Sequence, residues 1–212
     1  MTFRDRADAA ERLARRLAAY RDAAATIVLG IPRGGMVVAA EIASTLRLPL
    51  GIAPVRKVGA PGNPELAIGA VDDEAGQVLD SQLAWRLGVS PGRLEAAAAE
   101  ERAHLRQWLS GMPGGLDRPV SGRAVILVDD GVATGYTALV AVAAVRRHGA
   151  EHVTLAVPVA PADTAHWLRT RVDEWICLET PDPFRAVGHF FEDWPQVTDD
   201  QVRALLPPGN RM

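Results

Sequence analysis

The sequence predicts an α/β fold: a mainly parallel sheet flanked by helices, followed by a smaller C-terminal segment of different character. Three observations lead there. Short apolar runs rich in β-branched residues alternate with helix-forming stretches along most of the chain, the pattern of strands joined by crossover helices. One unit has both ends marked: the apolar run Arg123 to Val128, a polar turn Asp129 to Thr137, and a helix-forming stretch Ala138 to His148 stopped by Gly149. The 212 residues, 48% hydrophobic and 23% charged, also have an ordinary globular composition, enough for one compact domain with an appendage or two small domains.

The elements follow in order. Ala10, Leu13, Ala14 and Leu17 recur at helical spacing among charged residues, so residues 3–20 read as an amphipathic helix. Thr26 to Leu29 is a strand entering the turn Gly30-Ile31-Pro32-Arg33-Gly34-Gly35, and Met36 to Leu46 is a helix. A second strand, Leu50 to Val55, leads into a stretch from Arg56 to Pro64 whose Gly and Pro content predicts a flexible loop, taken as residues 56–66. Leu66 to Val71 and Gln77 to Leu79 form a hairpin about Asp72-Asp73. Ser90-Pro91 starts a helix over residues 91–109, which Gly111 to Gly115 end. After the central unit, the strand His152 to Val159, the helix Asp163 to Arg171 and the strand Trp175 to Leu178 continue the alternation. The division expected is a core over residues 1–179 and a C-terminal piece over 180–212, with disorder in the last residues from Pro207.

Composition excludes several functions. A net charge of −3 argues against a globally basic nucleic-acid binder, so nucleic acid is not an expected partner and any polyanion site is local. One cysteine, Cys177, excludes an internal disulfide and a multi-cysteine metal site. Met1 to Tyr20 is densely charged, and no apolar run approaches the roughly 18 residues of a membrane span, so a cytoplasmic protein is expected. Neither a Gly-xxxx-Gly-Lys-Ser/Thr nor a Gly-x-Gly-x-x-Gly pattern occurs. Of the 23 cations only one is a lysine, Lys57, and it falls within the Gly/Pro-rich loop.

The turn after the central strand carries the chemistry. Ligands of open α/β sheets sit at the carboxyl ends of strands, and here that end holds Asp129 and Asp130, then Gly131-Val132-Ala133-Thr134-Gly135-Tyr136-Thr137, then a helix start. The helix start offers unpaired N–H groups to a phosphate, and Thr134 and Thr137 add hydroxyls. Gly131 and Gly135 let the backbone wrap a bound group. Ionised carboxylates only accept hydrogen bonds, so Asp129 and Asp130 suit a vicinal diol. A sugar phosphate meets both demands. Upstream, Arg33 and the Gly34-Gly35 backbone suit a diphosphate.

The run Val125 to Thr137 resembles the phosphoribosyl pyrophosphate (PRPP) motif of the type I phosphoribosyltransferases: a hydrophobic strand, two acidic residues and a loop ending Thr-Gly-Xaa-Thr. Residues 59–65, Gly-Ala-Pro-Gly-Asn-Pro-Glu, are similar to a bacterial subgroup of predicted phosphoribosyltransferases without an assigned substrate. The resemblance implies a type I phosphoribosyltransferase-like, Rossmann-like fold with a small C-terminal hood. It further implies that Asp129 and Asp130 hold the ribose hydroxyls and that Gly131 to Thr137 bind the 5-phosphate. Arg33, Gly34 and Gly35 would form the pyrophosphate loop, with a cis peptide between Pro32 and Arg33. Arg56 and Lys57 would act on the leaving group from the flexible catalytic loop. Mg²⁺ is implied as cofactor, held mainly by PRPP and water rather than by a protein-only metal site. Phe184, Phe190, Phe191 and Trp194 would belong to the hood over the acceptor, though these aromatics are equally suited to sealing the sheet end or a dimer contact.

Family members acting on 6-oxopurines usually carry Asp just before the Thr-Gly, where this chain has Ala133, and Tyr136 stands at a commonly small position. The implied reaction joins the phosphoribosyl group to a nitrogenous acceptor, in nucleotide salvage, and releases pyrophosphate. A non-catalytic PRPP- or nucleotide-binding regulatory protein is the alternative. The sequence leaves open the acceptor, the role of the helix at 91–109 and the oligomeric state, for which a homodimer is one arrangement.

Overall fold

Five runs build a parallel sheet: the three central ones, rich in β-branched residues, are buried on both faces, and the edge run at 174–179 is only half-buried. In the computed structural model, which describes residues 2–113 and 120–206, these are β1 (Thr26–Gly30), β2 (Leu50–Ile52), β6 (Ala124–Val128), β7 (His152–Val159) and β8 (Glu174–Glu179). Their order is β2-β1-β6-β7-β8, all pairs parallel. Strand alternation divides their side chains between two cores. Val28, Ile126, Val128 and Ile176 face α1 (Arg6–Arg16) and α2 (Gly34–Leu46). Ile27, Leu29, Val125, Leu127 and Leu155 face α5 (Tyr136–Arg147) and α6 (Ala162–Arg169).

A second sheet is antiparallel: β3 (Val55–Ala60), β4 (Asn63–Asp72) and β5 (Gln77–Leu79), in that order. Val58, Ile68 and Val71 pack under α3 (Ser81–Arg86) and α4 (Pro91–Ser110) around Ala84, Leu94 and Ala98. Helix α4 is thus the cover of this sheet, which answers what the helix at 91–109 does for the fold. Asp80 and Ser90 cap α3 and α4 through Leu83 N–H (2.8 Å) and Arg93 N–H (3.4 Å).

Two expectations require correction here. The strand predicted over 50–55 is two strands in different sheets: Ala53 N–H still donates to Gly30 C=O (2.9 Å), and Pro54, with no N–H, ends the parallel ladder. The segment expected to be an irregular loop is largely ordered as the β3–β4 hairpin. Its prolines and glycines are turn chemistry: Gly62 has φ +79°, and Gly59 lies so close to Pro64 that a Cβ there would sit 2.7 Å from its carbonyl oxygen. The pairing shifts register on both sides of Gly59, as in a bulge.

Smaller differences concern ends. Asp5 caps α1 (Asp8 N–H to Oδ1, 2.8 Å), so the helix begins at Arg6 and continues after Arg16 only as a 3₁₀ turn at Ala18–Tyr20. Phe3 instead pairs with the C-terminal segment, its N–H donating to Phe190 C=O (2.8 Å) and its carbonyl accepting from Glu192 N–H (2.9 Å). That segment also contains α7 (Asp199–Leu205), which is absent from the expected elements and is capped by Thr198 in a capping box. The disorder expected from Pro207 onward lies outside the described residues.

Gly30 ends β1 where α2 crosses it. A Cβ at this position would lie 2.6 Å from Met36 Sδ and 2.8 Å from Met36 Cα, so Gly30→Ala is expected to push α2 off the sheet and cost about 1 to 3 kcal/mol. An unchanged urea midpoint would contradict this packing.

Candidate active site

The carboxyl ends of β1 and β6 open into a cleft of about 830 Å³ that extends to the second sheet, α4 and the C-terminal segment. It brings together Arg33, Gly34, Arg56, Lys57, Asp129 and Asp130. The peptide between Pro32 and Arg33 is cis, and Ile31 N–H donates to Val128 C=O (2.8 Å), holding the turn after β1 beside the end of β6. The two glycines permit that approach. A Cβ on residue 34 would lie 1.7 Å from Asp130 Oδ2, and one on residue 35 would lie 2.7 Å from Val128 C=O, so only glycine fits at either position.

The carboxylates are adjacent and shielded; Asp130 keeps 14% of its side-chain surface. Asp129 Oδ1 accepts from Asp130 N–H (2.9 Å), and Asp130 Oδ2 accepts from Arg6 Nε (2.8 Å). Burial, then the charge of Asp130, holds Asp129 well above the usual carboxylate range. Asp130 is also raised by burial, against which the Arg6 guanidinium works. The pair therefore resists carrying two charges unless a ligand or cation supplies compensation.

Downstream, the loop from Gly131 to Thr137 leaves the cleft after Asp130, and none of its residues lines the cleft wall. Val132 N–H donates to Val159 C=O (2.9 Å) and Ala133 C=O accepts from Thr164 Oγ1 (2.8 Å). Gly135, φ +81°, is the N-cap of α5, and no side chain caps that helix, so its first N–H groups are available to an anion. Helix α5 starts at Tyr136, two residues earlier than expected, and Thr137 lies in its first turn. Tyr136 turns to the second sheet's side, its hydroxyl donating to Asp80 (2.5 Å). Burial and that carboxylate push the phenol up to about 12.

Arg56 and Lys57 are consecutive on β3, so their side chains leave opposite faces of the strand. Arg56 is ion-paired with Glu101 of α4. Arg33 is half-exposed, 3.6 Å from Asp199. Of the four aromatics, only Trp194 borders the cleft. Phe191 is buried between Phe3 (5.2 Å between centroids) and Trp194 (4.4 Å), while Phe184 and Phe190 pack on each other at 5.2 Å. These three rings seal the C-terminal segment against the N-terminus, leaving Trp194 as the one of the four that meets the cleft.

Sequence reasoning missed Arg6, Glu101 and Trp108 as cleft residues. A signal existed. Arg6 falls on the helical face of Ala10, Leu13 and Leu17, and Glu101 on that of Leu94, Ala98, Leu105 and Trp108, each a charge within an otherwise apolar stripe.

A family model described as "Phosphoribosyl transferase domain" matches residues 4–188. Two curated Mycobacterium tuberculosis sequences, from strains CDC 1551 / Oshkosh and H37Rv and each named "Putative phosphoribosyl transferase", are 40% identical to the chain over 210 residues. The match covers 99% of this chain and 47% of theirs, so the chain spans about half the length of these relatives. The crystal structure of TT1426 from Thermus thermophilus is 42% identical with a TM-score of 0.75, over 97% of this chain and 98% of that one.

Since the raised Asp129 is costly to ionise in the folded chain, its charge lowers stability at neutral pH. Asp129→Asn should raise the thermal midpoint at pH 7 by at least about 2 °C. The gain should vanish below about pH 4, where the carboxyl is protonated in both folded and unfolded chains. A variant less stable than the parent at pH 7 would contradict the burial and repulsion argued here.

Proposed function

Because the chain belongs to the phosphoribosyl transferase domain family, we propose that it transfers the 5-phosphoribosyl group of PRPP to a nitrogenous acceptor, with Mg²⁺, and releases pyrophosphate. The observation that carries this reading is the meeting of the Arg33-Gly34-Gly35 turn with Asp129 and Asp130 in one cleft. A diphosphate-binding turn and a diol-binding pair must lie side by side to hold the two ends of one bond to ribose C1.

Asp129 and Asp130 accept hydrogen bonds from the ribose 2- and 3-hydroxyls, and the N-terminus of α5 with Thr134 and Thr137 takes the 5-phosphate. Arg33 and the N–H groups of Gly34 and Gly35 bind the pyrophosphate. The bond from C1 to pyrophosphate oxygen breaks as one forms from C1 to the acceptor nitrogen, and the acceptor's proton leaves to solvent or a base. Negative charge gathers on the departing pyrophosphate, where Lys57 and Arg56 stabilise it. Arg56 must first exchange Glu101 for the ligand.

The donor set fits a hydrated Mg²⁺ carried by the ligand: two neighbouring carboxylates of raised pKa gain from a cation, and Mg²⁺ keeps waters and takes few protein ligands. When bound it neutralises charge on the diphosphate. The remaining work falls to the chain's own side chains, which position the sugar and withdraw the reacting centre from water.

Titration with PRPP should give saturable binding that strengthens with Mg²⁺ and is lost in Asp130→Ala; equal affinity in that variant would overturn the ribose assignment. Lys57→Ala should lower kcat about a hundredfold while changing PRPP affinity little, since its charge acts mainly in the transition state. Loss of affinity with kcat intact would contradict that role. Binding without pyrophosphate release across nitrogenous acceptors would overturn the transfer step.

A further inference from the structure

Arg6 stands in the first turn of α1, on the face that farther along carries Ala10, Leu13 and Leu17. Its side chain keeps only 9% of its surface, and it borders the cleft. Three groups fix it. Nε donates to Asp130 Oδ2 at 2.8 Å, Nη1 donates to the Pro195 carbonyl at 2.8 Å, and the guanidinium carbon lies 3.7 Å from the centroid of the Trp194 ring. One side chain thus joins the N-terminal helix, the end of β6 and the C-terminal segment.

The mode of contact carries the argument. An arginine whose task is to hold two elements together gains most from a bidentate fork on both carboxylate oxygens. Arg6 engages a single oxygen and directs its other hydrogen bond to a backbone carbonyl. Asp130 Oδ2 is thereby held between Arg6 and the Gly34 backbone, and the carboxyl also meets its own backbone N–H and the neighbouring Asp129 carboxyl. Asp129 Oδ1 is taken by Asp130 N–H, and the two carboxyls face each other within hydrogen-bond reach. A carboxylate offers more acceptor sites than these contacts fill, so the two adjacent groups, once ionised, can still take the two hydroxyls of a vicinal diol.

We propose that Arg6 is a positioning residue for the sugar: it fixes the Asp130 carboxylate so that its second oxygen meets a ribose hydroxyl, and its stacking on Trp194 ties that orientation to the C-terminal segment. This rests on the PRPP reading above. Arg6 touches Asp130 rather than the reacting atoms, and its effect falls on the ribose portion of the ligand, apart from the diphosphate. The counter-charge it brings to Asp130 acts in the same sense, favouring the ionised acceptor.

The test compares the parent chain, Arg6→Gln and Arg6→Lys in titrations with Mg-PRPP, ribose 5-phosphate and inorganic pyrophosphate, with circular dichroism to confirm folding. Arg6→Gln should weaken both sugar ligands roughly tenfold to a hundredfold, the ratio corresponding to one charge-assisted hydrogen bond, and leave pyrophosphate affinity unchanged. Arg6→Lys, which keeps the charge but not the planar fork, should recover part of the sugar affinity, and it decides the matter if the glutamine variant does not fold. Equal losses for all three ligands would make Arg6 a general support or a direct anion ligand and overturn the proposal. Undiminished sugar affinity in the variants would overturn it while leaving the PRPP reading intact. A parent chain that binds pyrophosphate but neither sugar ligand would overturn both.

Discussion

The contact between the Gly34-Gly35 turn and the Asp129-Asp130 pair is the constraint on which the site depends. Strands β1 and β6 are parallel neighbours, so their carboxyl ends emerge together. Neighbouring strands do not by themselves bring turns into atomic contact. That takes two residues without side chains after β1 and two short acidic ones after β6. Any larger residue at 34 or 35 would displace a carboxylate or the backbone of the other strand, and the turn and the acidic pair could no longer share one cleft.

This closeness has an electrostatic consequence. Two shielded carboxylates side by side oppose their own ionisation, and the fold offsets the repulsion only in part, with a single guanidinium on one oxygen of Asp130. The remaining repulsion is strain stored at the site, and under the proposed reading a ligand and its cation would relieve it. Around it the pairs Arg33–Asp199 and Arg56–Glu101 keep cleft cations beside acids. Both are partly exposed, and such pairs contribute little to stability, so exchanging either partner is inexpensive.

Much of the fold was legible because its signals are local. Both-face burial gives continuous apolar runs, and glycine, proline and Ser-Pro mark the ends of elements; β1, β6, β7, α2 and α4 follow directly. The β3–β4 hairpin is not evident because proline and glycine density marks turns without telling whether strands run between them, and nothing local shows that Gly59 backs onto Pro64. The split at Pro54 was likewise a tertiary matter, since a strand that changes sheets looks like one that continues. In the site, the acidic pair and the glycine turns could be read from their own neighbours. Arg6, Glu101 and Trp108 reach the cleft from helices distant in sequence; Arg6 and Glu101 leave the weak trace of a charge on an apolar face, and Trp108 leaves none.

The most direct test of the central claim is a crystal structure of the chain with Mg-PRPP bound. The ribose 2- and 3-hydroxyls are expected within hydrogen-bond distance of Asp129 and Asp130, the pyrophosphate against Arg33 to Gly35, and the 5-phosphate at residues 131–137. A ligand whose ribose lies away from the acidic pair, or whose diphosphate avoids the Arg33 turn, would contradict it.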